Sequence, residues 1–237
     1  GIEPPTRVAL GRVYPSPVGS ETLARVGDRI WVGGDGGVAR FDPGEEAWER
    51  MGDRIRRVKA LDYGEPYLWV ATDGNGVWRY DVTRGEWRNW RAATGLPDDR
   101  VFCIDADRKG AYFGLGDEHG VGGLAHIDAS GGIHPFEQKG APETTVKSIL
   151  VREDGILAGS LAGLHRFDRR TSTWSQLWRR GYMAVFPGLG VVYGVNSSRA
   201  TFVFDGATPF DRIDETLSGC WPLRDGRPNL SVKSLTE

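Results

Sequence analysis

A motif of six residues recurs along the chain at intervals of about 40 residues, and this repetition restricts the fold more than any other feature. The motif is a glycine, an apolar residue, any residue, an arginine or histidine, an aromatic residue or isoleucine, and an aspartate. A repeat of this length is typical of one supersecondary unit stacked several times. Its copies are Gly37–Asp42, Gly76–Asp81, Gly123–Asp128 and Gly163–Asp168, with a weaker one at Ala200–Asp205.

The unit around the second copy is the best defined. Tyr67–Thr72, Val77–Asp81 and Glu86–Trp90 are rich in aromatic and β-branched residues, which favour strands. Asp73–Gly76 supplies residues that tolerate a positive φ, as a hairpin turn requires. A further strand is predicted upstream, at Val58–Asp62. Four short strands in a repeat of about 40 residues predict an all-β fold of the β-propeller type.

The copies account for five blades between Leu23 and about Ile213. Residues 1–17 and 217–237 lack the full repeat, but each segment contains candidate strands, including Cys220–Leu223. We therefore predict a single domain, residues 1–237, with six four-stranded blades in which the two terminal segments together form the last blade. Such a closure would pair the edge strands of the ring. A ring of five blades is the alternative.

The composition excludes two classes of partner. The net charge of the 237-residue chain is −2, whereas generic binding to DNA or RNA requires a basic surface. No apolar run approaches the length of a membrane span, so we expect no membrane insertion of this chain.

The recurring aspartates and Cys103 both have structural explanations. The aspartate that ends each motif lies at an equivalent place in successive blades, so we expect these residues to be spread around the ring. Each would cap the turn that follows it. Cys103 lies between two apolar residues, Phe102 and Ile104, which predicts a small buried side chain, with a disulfide to Cys220 as the alternative.

The segment Gly95–Asp107, GLPDDRVFCIDAD, resembles the repeat of the two-component regulator propellers. That repeat contains Gly-Leu-Pro, a Val-x-x-Ile strand, an acidic turn, Leu-Trp-Ile-Gly-Thr and Gly-Gly-Leu-x-Arg-Tyr-Asp. Leu68–Thr72 and Gly76–Asp81 are similar to its second half, and the resemblance extends from about Val26 to Asp205. It implies a sensor-type propeller that is extracytoplasmic, either periplasmic or secreted.

Binding residues are expected where the copies of the repeat differ, because loops carry function on a repeated scaffold. In a propeller, the loops between second and third strands and the loops between blades surround the same mouth of the central channel. Arginine in these loops suits a planar anion. The predicted ligand-binding residues are Asp73, Asn75, Arg100, Asp117, Glu118, His119, Arg180, Tyr182, Asn196, Arg199 and Trp221.

These observations favour a monomeric, non-catalytic module that binds a small polar ligand, either a saccharide or an anion, or a protein. The sequence contains no Gly-x-Ser-x-Gly elbow, no Walker loop and no His-Glu-x-x-His motif. We expect no catalytic residue, no cofactor and no metal site. The alternative is a hydrolase or lyase that uses a divalent ion or an acid–base pair at the same mouth, with Asp117, Glu118 and His119 as the available groups.

Overall fold

The computed structural model describes residues 12–117, 119–178, 183–188, 191–196, 201–205 and 220–221, and beyond residue 177 it describes the side chain of Val185 alone. The described residues form five four-stranded antiparallel sheets, which follow one another along the chain. In each sheet the spatial order of the strands is their order in the sequence. This architecture confirms the predicted all-β fold built from four-stranded blades.

The strands have the following bounds. The first sheet contains β1 (Thr22–Val26), β2 (Arg29–Gly34), β3 (Gly37–Asp42) and β4 (Ala47–Met51). The second contains β5 (Val58–Gly64), β6 (Tyr67–Thr72), β7 (Val77–Asp81) and β8 (Glu86–Trp90), and the third contains β9 (Val101–Asp107), β10 (Gly110–Gly116), β11 (Gly122–Asp128) and β12 (Ile133–Pro135). The fourth contains β13 (Val146–Val151), β14 (Gly155–Ser160), β15 (Gly163–Asp168) and β16 (Thr173–Trp178). The fifth contains β17 (Met183–Gly188), β18 (Val191–Asn196), β19 (Thr201–Asp205) and β20 (Cys220–Trp221).

The last strand of the fifth sheet differs from the sequence interpretation. Cys220 and Trp221 pair with Phe202 and Thr201 of β19, so β20 belongs to the fifth sheet and not to a sixth. The outer edge of β19 can pair with any later segment that forms a strand. The connection from Asp205 to Cys220 is longer than the connections between third and fourth strands in the other sheets. The sixth blade, built from residues 1–17 and 217–237, stays a prediction because most of these residues lie outside the described part.

Aromatic side chains fill the space between neighbouring sheets. Trp69 of the second sheet is fully buried, and its ring centroid lies 5.6 Å from that of Phe113 in the third sheet. Trp31 of the first sheet packs in the same way on Tyr80 of the second, with ring centroids 5.1 Å apart. A four-stranded sheet leaves apolar faces that need a partner, and here the next sheet covers them. Trp31 and Trp69 therefore serve packing between blades.

The aspartates of the four clear copies of the motif cap the turns that follow them, as predicted, and the turn after Asp205 lies outside the described residues. Each accepts a hydrogen bond at Oδ1 from a backbone N–H two or three residues later, which satisfies a turn donor that the strand ladder does not reach. The acceptor and donor pairs are Asp42 with Gly44 at 2.8 Å, Asp81 with Thr83 at 2.9 Å, Asp128 with Gly131 at 2.9 Å and Asp168 with Arg170 at 2.8 Å.

Cys103 is a free, buried thiol, as the packing interpretation predicted, and it forms no disulfide with Cys220. Its Sγ lies 3.8 Å from the carbonyl oxygen of Val146, in the first strand of the next sheet. Burial raises the pKa of the thiol, so this cysteine is a packing residue and not a nucleophile.

The first strands of successive sheets are joined by hydrogen bonds from backbone to side chain. A first strand is the edge of its sheet, so some of its N–H groups have no ladder partner. A side-chain oxygen from the preceding first strand accepts one of these donors, which fixes the position of each sheet relative to the next. The acceptor and donor pairs are Thr22 with Leu61 (3.1 Å), Asp62 with Ala106 (2.7 Å), Asp105 with Val151 (2.7 Å) and Ser148 with Val185 (3.0 Å).

Two of these acceptors are carboxylates in surroundings that disfavour charge. Burial is the largest of the effects that together raise the pKa of Asp105 to about 7; the nearby Asp62 and Asp107 act in the same direction, and the hydrogen bond from Val151 acts in the opposite one. Burial also raises the pKa of Asp62. A carboxyl whose pKa is higher in the folded than in the unfolded state binds more protons when folded. Its contribution to stability therefore falls as the pH rises from about 4 to about 7.

We predict that Asp105→Asn removes this dependence on pH. The amide oxygen can still accept the hydrogen bond from Val151, but it carries no charge to bury. At pH 8 the variant should be more stable than the wild type by about 2–4 kcal/mol, since each pKa unit corresponds to about 1.4 kcal/mol. The difference should shrink towards pH 4. Urea unfolding at several pH values measures it, with Asp53→Asn, at an exposed carboxylate, as the control. Parallel stability profiles for the wild type and Asp105→Asn would contradict the prediction.

Candidate functional site

A cavity of about 400 Å³ lies where the loops between second and third strands meet the loops between sheets. It is bordered by residues from the second, third and fourth sheets and from the three connections that enter those sheets. The binding residues were predicted to lie on this face. The lining residues are Arg57, Asp73, Arg100, Phe102, Asp117, Gly120, Thr145, Lys147 and Leu161. We refer to this space as the mouth cavity.

Backbone hydrogen bonds between loops hold the rim of the mouth cavity. The N–H of Asp73 donates to the carbonyl of Arg57 at 2.9 Å. The equivalent bond in the fourth sheet runs from the N–H of Leu161 to the carbonyl of Thr145 at 3.1 Å. Thr145 in turn donates to the carbonyl of Gly120, in the hairpin loop of the third sheet, at 2.9 Å. Each hairpin loop is thus tied to the connection beside it, and the lining side chains start from fixed backbone positions.

On one side of the cavity a carboxylate lies between two guanidinium groups. Asp73 Oδ2 forms an ion pair with Arg57 Nη2, and Asp73 Oδ1 lies 3.9 Å from Arg100 Nε. The Asp73 side chain is mostly buried at 17% exposure, whereas that of Arg57 is 61% exposed. Asp73 therefore draws both arginines towards the cavity, and the Arg57 guanidinium keeps most of its surface open to a ligand.

Arg57 has an unusual backbone conformation. Its φ of 52° lies in the left-handed region, which a residue with a Cβ atom seldom adopts. Arg57 N–H donates to the carbonyl of Asp35 at 3.2 Å, and its own carbonyl accepts the Asp73 N–H. These two contacts from neighbouring sheets impose the conformation, and the strain is of the kind that accumulates at binding sites.

The lining also combines a cation with apolar groups. The Nζ of Lys147, near the start of β13, lies 5.3 Å from the ring centroid of Phe102 in β9. Leu161, in the loop between β14 and β15, is 41% exposed. Asp117 Oδ1 accepts hydrogen bonds from the N–H groups of His119 at 2.9 Å and Val121 at 2.8 Å, so it shapes its own loop.

The structure brings three of the predicted binding residues together, since Asp73, Arg100 and Asp117 all line the mouth cavity. Asn75 lies in the same loop as Asp73, but its Oδ1 accepts a hydrogen bond from Trp78 Nε1 at 2.9 Å, which gives it a structural role. His119 is exposed and is not one of the residues that line the cavity.

The structure describes no side-chain contacts for the remaining six predicted residues. For two of them the structure describes the backbone alone: Asn196 ends β18, and Trp221 lies in β20, the outer strand of the fifth sheet. The predicted residues that lie outside the described part of the chain are Glu118, Arg180, Tyr182 and Arg199.

Sequence reasoning missed five side chains of the lining: those of Arg57, Phe102, Thr145, Lys147 and Leu161. A signal for four of them was present in the repeat. Arg57, Arg100 and Thr145 each directly precede the valine that begins a first strand, and Phe102 and Lys147 each directly follow it. Aligning the copies at that valine would have shown that these positions face the same mouth. Leu161 lies in a short hairpin loop and carried no such signal.

Among the described residues, no group of three or more His, Cys, Asp and Glu side chains is arranged to hold a metal ion. In the same part of the chain, no helix has the length and apolar character to cross a membrane.

No protein-family model and no curated protein sequence matches the chain. Solved structures do. The extracellular domain of the hybrid two-component system BT4673 from B. thetaiotaomicron has a TM-score of 0.65 and 16% identity, over 80% of this chain and 27% of that one. The corresponding domain of BT3049 from the same organism has a TM-score of 0.59 and 18% identity, over 82% and 29%.

The β-propeller domain of Cps50 (Swd1) from Myceliophteria thermophila is also similar, with a TM-score of 0.58 and 18% identity, over 78% of this chain and 65% of that domain. The chain has the β-propeller fold. The neighbours include sensor domains of the kind that its repeat resembles. The chain spans between a quarter and a third of the length of the two sensor domains.

We predict that the strain at Arg57 can be measured with two variants that both lack the guanidinium group. Arg57→Gly should be more stable than Arg57→Ala by about 1 kcal/mol, because glycine has no Cβ to oppose a left-handed φ. Urea unfolding gives the difference. The same pair of substitutions at Arg108, which is exposed and has no positive φ, should favour alanine. Equal stability of the two Arg57 variants would contradict the assignment of strain.

Proposed function

We propose that this chain is a non-catalytic recognition propeller that binds a small anionic ligand in the mouth cavity. The observation that carries the proposal is the convergence of three cationic side chains, Arg57, Arg100 and Lys147, from three different places in the chain on one cavity. Two carboxylates, Asp73 and Asp117, also line it, which leaves a net charge of +1. The chain as a whole has a net charge of −2, so this positive charge is local.

The chemistry of the three cations suits a carboxylate or another planar anion. A guanidinium group presents two parallel N–H donors to such an anion, and a lysine adds a compact charge that can approach from another direction. The rim loops are joined to each other by backbone hydrogen bonds, so the donors need little reorganisation when the ligand enters. An anion gains more from this lining than a neutral saccharide does.

The proposed setting is that of an extracytoplasmic sensor. It is supported by the resemblance of Gly95–Asp107 to the repeat of two-component regulator propellers and by the fold shared with extracellular domains of two such systems. In this role the propeller is a rigid ring, and ligand specificity comes from the few loop residues at its mouth.

We predict that the loss of either Arg100 or Lys147 weakens anion binding. In isothermal titration calorimetry with acetate and phosphate at low ionic strength, Arg100→Gln and Lys147→Gln should each reduce the affinity about ten-fold, the effect of losing about 1.4 kcal/mol. Arg108→Gln is the matched control. Arg108 is also paired with a carboxylate, that of Glu65, but it lies in the loop between the first and second strands of the third sheet, on the other face.

Wild-type affinity in both mouth variants would contradict the proposed site. Binding of a protein and of no small anion would move the function to the other partner class that the sequence left open. A thermal-shift screen with divalent ions, with and without chelator, tests the metal-dependent alternative directly, because a ligand that binds the folded state raises its melting temperature.

A further inference from the structure

The lining of the mouth cavity is chemically mixed. Arg57, Asp73 and Arg100 form its charged cluster. Phe102 and Leu161 are its apolar members, and they come from the first strand of the third sheet and from a hairpin loop of the fourth. A cavity for a small inorganic anion has no need of an apolar wall, since such a wall offers it no hydrogen bond.

Hydrogen bonds of the backbone fix the loop that carries Leu161. Leu161 N–H donates to the carbonyl of Thr145 at 3.1 Å, and the next residue, Ala162, donates to Ser160 Oγ at 3.1 Å. The loop therefore keeps Leu161 at the rim although 41% of its surface is exposed. A single exposed leucine is ordinary on a protein surface. One that lines the same cavity as a phenylalanine ring provides a surface for an apolar group of a ligand.

Lys147 places a positive charge next to an apolar member of the lining. Its ammonium group lies 5.3 Å from the Phe102 ring centroid, so a positive charge and an aromatic face are adjacent in the same cavity. A ligand with a negative group next to a flat apolar ring would contact both, with the anion near Lys147 and Arg100 and the ring against Phe102 and Leu161. The cavity volume of about 400 Å³ lies within the range of small-molecule sites.

We infer that the mouth cavity selects carboxylates that carry a flat apolar ring, such as small arylalkyl acids, over simple anions and over neutral ring compounds. This inference rests on the proposed function, because it requires an anion site at the same place. It adds the apolar half of the ligand, which the charges alone do not specify.

The experiment compares three probes by isothermal titration calorimetry: phenylacetate, acetate and phenylacetamide. Acetate lacks the ring, and phenylacetamide keeps the ring but replaces the carboxylate by a neutral amide. Phenylacetate should bind at least about ten-fold more tightly than either, since each of the other probes loses one class of contact. Leu161→Asn should weaken the binding of phenylacetate several-fold more than that of acetate.

Leu23→Asn is the matched control, because Leu23 is an exposed leucine on β1 that does not line the cavity. Its affinity for phenylacetate should equal that of the wild type. Equal affinities for acetate and phenylacetate would overturn the inference and leave the anion site standing. Binding of phenylacetamide as tight as that of phenylacetate would overturn both, and so would the absence of binding by all three probes.

Discussion

Each sheet of this protein has apolar faces that only another sheet can cover, and the rest of the structure depends on how the sheets meet. Trp69 against Phe113 is the clearest contact of this kind, with one fully buried aromatic ring from each sheet. Hydrogen bonds between first strands, such as that from Ala106 to Asp62, then set the position of each sheet relative to its neighbour. Because the sheets are stacked in a fixed register, their loops meet on one face and enclose the mouth cavity.

The fold could be predicted from the sequence because its determinants are local and repeated. The motif that ends in Asp81 specifies a strand and the turn after it, and each copy repeats the same information. The partner of β19 could not be predicted in this way. Pairing of Cys220 and Trp221 with it depends on which distant segment reaches an open edge, and no periodic pattern in the sequence specifies that choice.

The candidate site was predictable only in part, for a related reason. Asp73, Arg100 and Asp117 lie in loops that visibly depart from the repeat, so they could be identified. Lys147 and Phe102 lie inside strands, where the repeat reads as scaffold, and they reach the cavity because first strands of neighbouring sheets converge there. Sequence reasoning therefore overlooks residues that lie in a repeated strand but whose side chains line the cavity.

Entry of a ligand at the mouth cavity can be observed directly in a two-dimensional amide NMR titration of the uniformly labelled chain with phenylacetate. We expect the largest shifts at the amides of Arg57, Arg100, Thr145, Lys147 and Leu161, which belong to the lining. Shifts concentrated instead in the groove that Arg88, Thr94 and Ile133 line between the second and third sheets, with the mouth unaffected, would contradict it.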